Sequence, residues 1–158
     1  MKKTFGLFLL LLFGVFGAAS AQKNLTSTQR QVQSQILSFL RTEGFTPSID
    51  PSDNSITFKK SGDKYWIYVE ESGPFYITTQ LAGYSNDDYQ RSACILAAND
   101  CNSKKKAAKV YNTASATVFV VEQFCSTAAE YGKVFYRIMS VLEACREQFD
   151  QEYQTYID

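Results

Sequence analysis

The sequence contains no histidine. That absence removes Ser-His and Cys-His nucleophile pairs, two-histidine metal sites and imidazole pH switches, and it leaves acid-base chemistry to Asp, Glu, Lys, Tyr and Cys. Neither sign of charge is in excess: 16 basic groups face 16 acidic ones. The chain thus lacks the surplus of Lys and Arg with which nucleic-acid binders neutralise phosphates, and no nucleic-acid partner is expected. With 3 prolines and 8 glycines in 158 residues, collagen-like and low-complexity readings are excluded. No linker or internal repeat divides the chain. What is there is 45% hydrophobic and 15% aromatic, the composition of one globular domain long enough to bury a core without obligatory metals or disulfides. No metal or cofactor is expected.

The amino terminus carries an address. Lys2 and Lys3 precede an apolar run over residues 5–16, and small residues follow, ending Ala19-Ser20-Ala21. This is the pattern of a secretory signal peptide cleaved before Gln22. As a membrane span the run falls short of the roughly 20 residues a helix needs to cross. Residues 22–158 are therefore expected to form a single exported domain, periplasmic or secreted, mildly acidic and without stable membrane insertion.

Hydrophobic spacing divides that domain. Val32, Ile36, Phe39 and Leu40 fall on one helical face, and Gly44 followed by Thr46-Pro47 ends this first helix near Glu43. The period then changes to two: Ile56 and Phe58, then Tyr65, Ile67 and Val69, then Phe75, Ile77 and Thr79 read as three antiparallel strands. Ser61-Gly62-Asp63 and Ser72-Gly73 make the turns. Asp87 and Asp88 suit the start of a second helix, with Tyr89, Ala93, Leu96 and Ala97 as a narrow apolar face reaching about Cys101. Ala108 and Val110 open a second hairpin that turns within residues 112–115. Val118, Phe119, Val120 and Val121 are apolar at both strand parities, so the last strand belongs inside the sheet. Thr127 and Glu130 have capping-box spacing, and Tyr131, Phe135, Ile138, Leu142, Cys145, Phe149 and Tyr153 continue a long third helix. Over residues 127–153 it would run roughly 40 Å, so its end beyond Phe149 is expected to protrude. The fold class is α+β, in the order α-β-β-β-α-β-β-α, with a five-stranded, largely antiparallel sheet packed with three helices.

No constellation in this order carries catalysis. Glu70 and Glu71 are adjacent and point to opposite faces of a strand, and Lys104, Lys105, Lys106 and Lys109 read as a solvated turn. The four cysteines, Cys94, Cys101, Cys125 and Cys145, contain no C-x-x-C pair. They read as small buried hydrophobes or, in an oxidising compartment, as disulfide partners. If a bridge forms, Cys101 with Cys125 is the expected pair, because the second helix ends where the fourth strand begins and the fifth returns to the same edge. Trp66 and Tyr68 alternate with the core set and project from the opposite sheet face, with Tyr76 and Thr78 beside them in the next strand. These four are the candidate interaction patch, set against the reading that the protein's own helices cover them.

The order of elements, with Ile56-Thr-Phe-Lys, Tyr65-Trp-Ile-Tyr-Val-Glu, Lys109-Val-Tyr, Val120-Val-Glu-Gln-Phe and Phe135-Tyr-Arg-Ile, resembles the YbjN family of bacterial sensory-transduction regulators, which is similar in fold to type III secretion chaperones. The resemblance implies a non-catalytic protein- or peptide-binding domain; an extracytoplasmic module that senses a small ligand is the alternative. The apolar parity of residues 118–121 calls for a further covering surface, and the chaperone-like resemblance implies a homodimer. Ala93, Ala97 and Ala98 of the second helix, with Phe119 and Val121, or else the Trp66 and Tyr68 face, are the candidate dimer contacts.

Overall fold

The computed structural model describes residues 25–70, 75–85, 90–113 and 116–157. The expected signal peptide lies outside them, as do Asp87, Asp88 and Tyr89. The chain runs α1 (Ser27–Thr42), β1 (Ser48–Ile49), β2 (Ile56–Lys60), β3 (Asp63–Glu70), β4 (Phe75–Ser85), α2 (Arg91–Lys104), β5 (Lys109–Asn112), β6 (Ala116–Cys125) and α3 (Ala128–Ile157). It is an α+β domain with three helices and one antiparallel sheet in the order β1-β2-β3-β4-β6-β5.

Local chemistry sets the element ends. Thr26 caps α1 through its hydroxyl, which accepts from the Gln29 N–H at 3.2 Å, while the Gln29 side chain accepts from the Thr26 N–H at 2.8 Å. This reciprocal pair satisfies donors that the first helical turn leaves open. At the other end Gly44 has φ +87°. Phe45 N–H bonds to Leu40 C=O and Gly44 N–H to Arg41 C=O, a Schellman closure. Between β2 and β3, Ser61 and Gly62 both take positive φ, 52° and 91°, as a two-residue hairpin turn with the twist of its strands requires.

The sheet has six strands where five were expected. The sixth is β1, which pairs Ser48 with Thr57 and Ile49 with Ile56. Two residues are too few to display a period of two, so nothing in the hydrophobic pattern announces it. The expected interior position of the last strand holds, with β6 between β4 and β5.

All three helices lie on one side of the sheet. Phe135 of α3 centres an aromatic cluster, its ring 5.4 Å from Phe39, 5.8 Å from Phe45 and 5.9 Å from Phe58. Further along α3, Phe149 meets Phe119 at 5.5 Å. Tyr131 and Thr79 share a buried hydroxyl hydrogen bond of 2.7 Å, and Gln29 donates to the Val69 carbonyl at 2.9 Å, tying α1 to β3.

Two expectations about the helices change. The buried face of α2 is Ala93, Cys94, Ala97, Ala98 and Cys101, whereas Leu96 is exposed. Small residues turn inward because α3 approaches closely on that side. The end of α3 does not protrude: Glu152 and Tyr153 are buried, Lys104 bonds Glu152 at 2.6 Å, and the Tyr156 hydroxyl donates to Asp100. Thirty residues at 1.5 Å each reach about 45 Å, and α2 supplies the flank along which that length docks.

Candidate functional site

Strand parity divides the sheet into two surfaces. Ile56, Phe58, Tyr65, Ile67, Val69, Ile77, Leu81, Val110, Phe119 and Val121 belong to the core under the helices. Their neighbours in sequence form the other surface, and the register lines them up across strands. One row is Thr57, Trp66, Gln80, Val120 and Lys109; the next contains Tyr68, Thr78 and Glu122; a third pairs Tyr76 with Phe124. Tyr111 pairs with Val118 beside them.

Among the described residues no helix lies over this surface. Trp66 and Tyr68 are half-buried, Tyr111 is 48% exposed and Phe124 66%. Thr78 and Val120, in the central strands, are buried. Polar groups hold the two patch aromatics. The Lys64 ammonium sits 4.6 Å from the centre of the Trp66 ring, a cation-π contact. The Tyr68 hydroxyl donates to an Asp53 carboxylate oxygen at 3.2 Å. Burial, and then the Asp53 charge, push the Tyr68 hydroxyl up from its ordinary value to about 12.

The structure therefore brings Trp66, Tyr68 and Thr78 together on one open face and places Tyr76 in register beside Phe124. It adds Tyr111 and Phe124, which sequence reasoning missed. The signal for both was present, since each is aromatic at the parity opposite a core residue, Val110 or Cys125. Nothing local showed which strand stands beside which.

The expected dimer contacts on the other side are already occupied. Ala93, Ala97 and Ala98 are buried in the interface between α2 and α3, and Phe119 and Val121 lie beneath α3. Of the two surfaces considered for self-association, the Trp66 and Tyr68 face is the accessible one.

A cleft of about 490 Å³ runs beside β6, lined by Lys106, Val121, Glu122, Val134, Arg137 and Val141 among others. It opens because β5 pairs with β6 only from Thr117 to Val120, and β6 continues to Cys125. A shallower groove of about 700 Å³ separates α1 from the start of α3, beside Phe39 and Gly132. Lys106, Glu122 and Arg137 are the ionisable residues along the cleft, and Lys133 lies along the groove. Among the described residues no three metal-ligating side chains cluster, and no helix is long and apolar enough to cross a membrane.

The four cysteines are free and buried. Cys101 does not face Cys125, the partner expected for it. Its sulfur lies 3.6 Å from that of Cys145, because the last turn of α2 packs on the middle of α3 rather than on the end of β6.

Comparison with family models, with curated proteins and with solved structures finds no match to this chain.

Proposed function

We propose that this is an exported, non-catalytic domain of YbjN-like, type III secretion chaperone-like kind, which binds a protein or peptide through the open face of its sheet. The observation that carries the reading is the set of aromatics that share that face. Trp66 and Tyr68 of β3, Tyr111 of β5 and Phe124 of β6 stand at one parity of the sheet, with no helix above them among the described residues. Tyr and Trp suit such a role because they join a large apolar area to a polar tip. Self-association is the simplest form of the binding, since a two-fold axis lets one patch satisfy its own copy.

Trp66 is the sole tryptophan, so its fluorescence reports on the face directly. Light scattering of the protein at micromolar concentration is expected to give twice the single-chain mass, with Trp66 emission shifting to the red on dilution. Phe124→Asp should leave a folded single chain. A single-chain mass for the unaltered protein, with emission independent of concentration, would defeat the dimer. Recovery of the same cellular partners by wild type and Phe124→Asp would defeat the binding face as well.

A further inference from the structure

We propose that Cys101 and Cys145 form a disulfide that staples α2 to α3 when the chain folds in an oxidising compartment. Their sulfurs approach to 3.6 Å in the interior, and both residues are fully buried. Closing to the bonded distance of about 2.05 Å asks each sulfur to move by less than about an ångström, within what a small side-chain rotation supplies. The residues stand 44 positions apart, so the bridge closes a long loop. That is the arrangement in which a cross-link most restricts the unfolded chain.

The place in the fold has a physical use for such a bond. Apart from its two cysteines, the buried face of α2 consists of three alanines, so this helix gains little from apolar burial. Its ties to α3 include the Lys104–Glu152 ion pair, buried on the Glu152 side, and the exposed Tyr156–Asp100 hydrogen bond, and exposed contacts of this kind contribute little. A covalent link at Cys101 fixes the helix where packing alone holds it weakly.

The chemistry balances with a disulfide as oxidant, either a thiol-disulfide oxidoreductase or glutathione disulfide. The Cys101 thiolate attacks a sulfur of that disulfide, forming a mixed disulfide and releasing one thiolate. Cys145 gives up its proton and attacks the Cys101 sulfur, which releases the second thiolate. Two protein thiols have become one disulfide, and the oxidant has taken two electrons and two protons as two thiols. Once the two residues meet, the hydrogen bond from Cys145, aided by the nearby Lys105 charge, holds the Cys101 thiol below the ordinary range. The same contact, with burial, pushes Cys145 up. Because neither sulfur meets solvent, the bond forms during folding and afterwards resists reductants.

The test is to refold the reduced full chain in a glutathione redox buffer, alkylate any remaining thiols and map the peptides without reduction. Trypsin together with a protease that cuts before Asp100 separates Cys94 from Cys101 and leaves residues 100–104 and 138–146 to be found linked. The expected product is that pair, two hydrogens lighter than the separate peptides, with Cys94 and Cys125 alkylated. The oxidised protein should have a folding equilibrium constant higher on the order of a hundredfold or more, a gain that a reductant added in denaturant abolishes. Cys145→Ser should show no such gain, and if that variant fails to fold, the wild-type map still decides. Alkylation of all four cysteines, or a linked peptide containing Cys94 or Cys125, would overturn the proposal.

Discussion

Phe119 and Val120 are adjacent, apolar and both buried, yet they serve different surfaces. Phe119 lies under α3 against Phe149; Val120 faces away from the helices, in a row with Trp66 and Gln80. The same alternation runs through β3, where Tyr65 stacks on Phe58 in the core at 5.2 Å and Trp66 holds Lys64 over its ring on the open side. Residue type does not separate the two faces, since each carries aromatics and valines. What separates them is that the helices stand on one side only, so packing there is three-dimensional, whereas the open face packs laterally between strands.

Substitutions on the two faces should therefore differ sharply. Phe135→Ala, which empties the centre of the aromatic cluster, is expected to cost about 3–5 kcal/mol in urea unfolding. A loss below about 1 kcal/mol would mean that this side is not the rigid one. Tyr131→Phe keeps the volume but leaves the Thr79 hydroxyl without its buried partner, at a cost of about 1–3 kcal/mol; Tyr131→Phe combined with Thr79→Val should recover much of it.

The open face has a pH signature of its own. The hydroxyl of Tyr68 is raised in the folded protein to about 12 from an ordinary 10, so the unfolded chain ionises first as pH rises. Stability from this group is full below pH 10 and is lost between pH 10 and about 12. Unfolding measured across that window should show a smaller decline for Tyr68→Phe than for wild type; parallel curves would mean that the fold does not raise this hydroxyl. Smallest of all should be the effect of Phe124→Ser on folding, within about 0.5 kcal/mol, because its side chain is 66% exposed. A large destabilisation there would erase the distinction between the faces.

Much of this was legible in the residues. Gly44 announced the end of α1, the alternation of Tyr65, Ile67 and Val69 announced β3, and the three-and-four spacing from Tyr131 to Tyr153 announced α3. In each, the signal is local: a positive φ, a period of two, a period of 3.6. The rest depended on contacts between distant segments. The inward face of α2 could not be read from a stretch in which Ile95 and Leu96 are larger than the alanines beside them. There the closeness of α3 outweighed hydrophobicity and turned the larger side chains outward. The partner of Cys101 was missed for the same reason. The end of β6 is near Cys101 in the order of elements, but the thiol faces Cys145 of α3, 44 positions away.

By itself the sequence determined the three helices and the longer strands in their order, without β1, the cap at Gly44, the turn at Ser61-Gly62, and the parity at which each longer strand presents its two sets of side chains, because these follow from backbone sterics and hydrophobic period within a few residues. Only the tertiary structure decided which parity the helices cover, and with it the fate of the patch. Parity divides residues into two sets but does not name the inner one when both are apolar. That choice belongs to α1, α2 and α3, which bury their apolar stripes in one shared core and leave Trp66, Tyr68, Tyr111 and Phe124 on the other side.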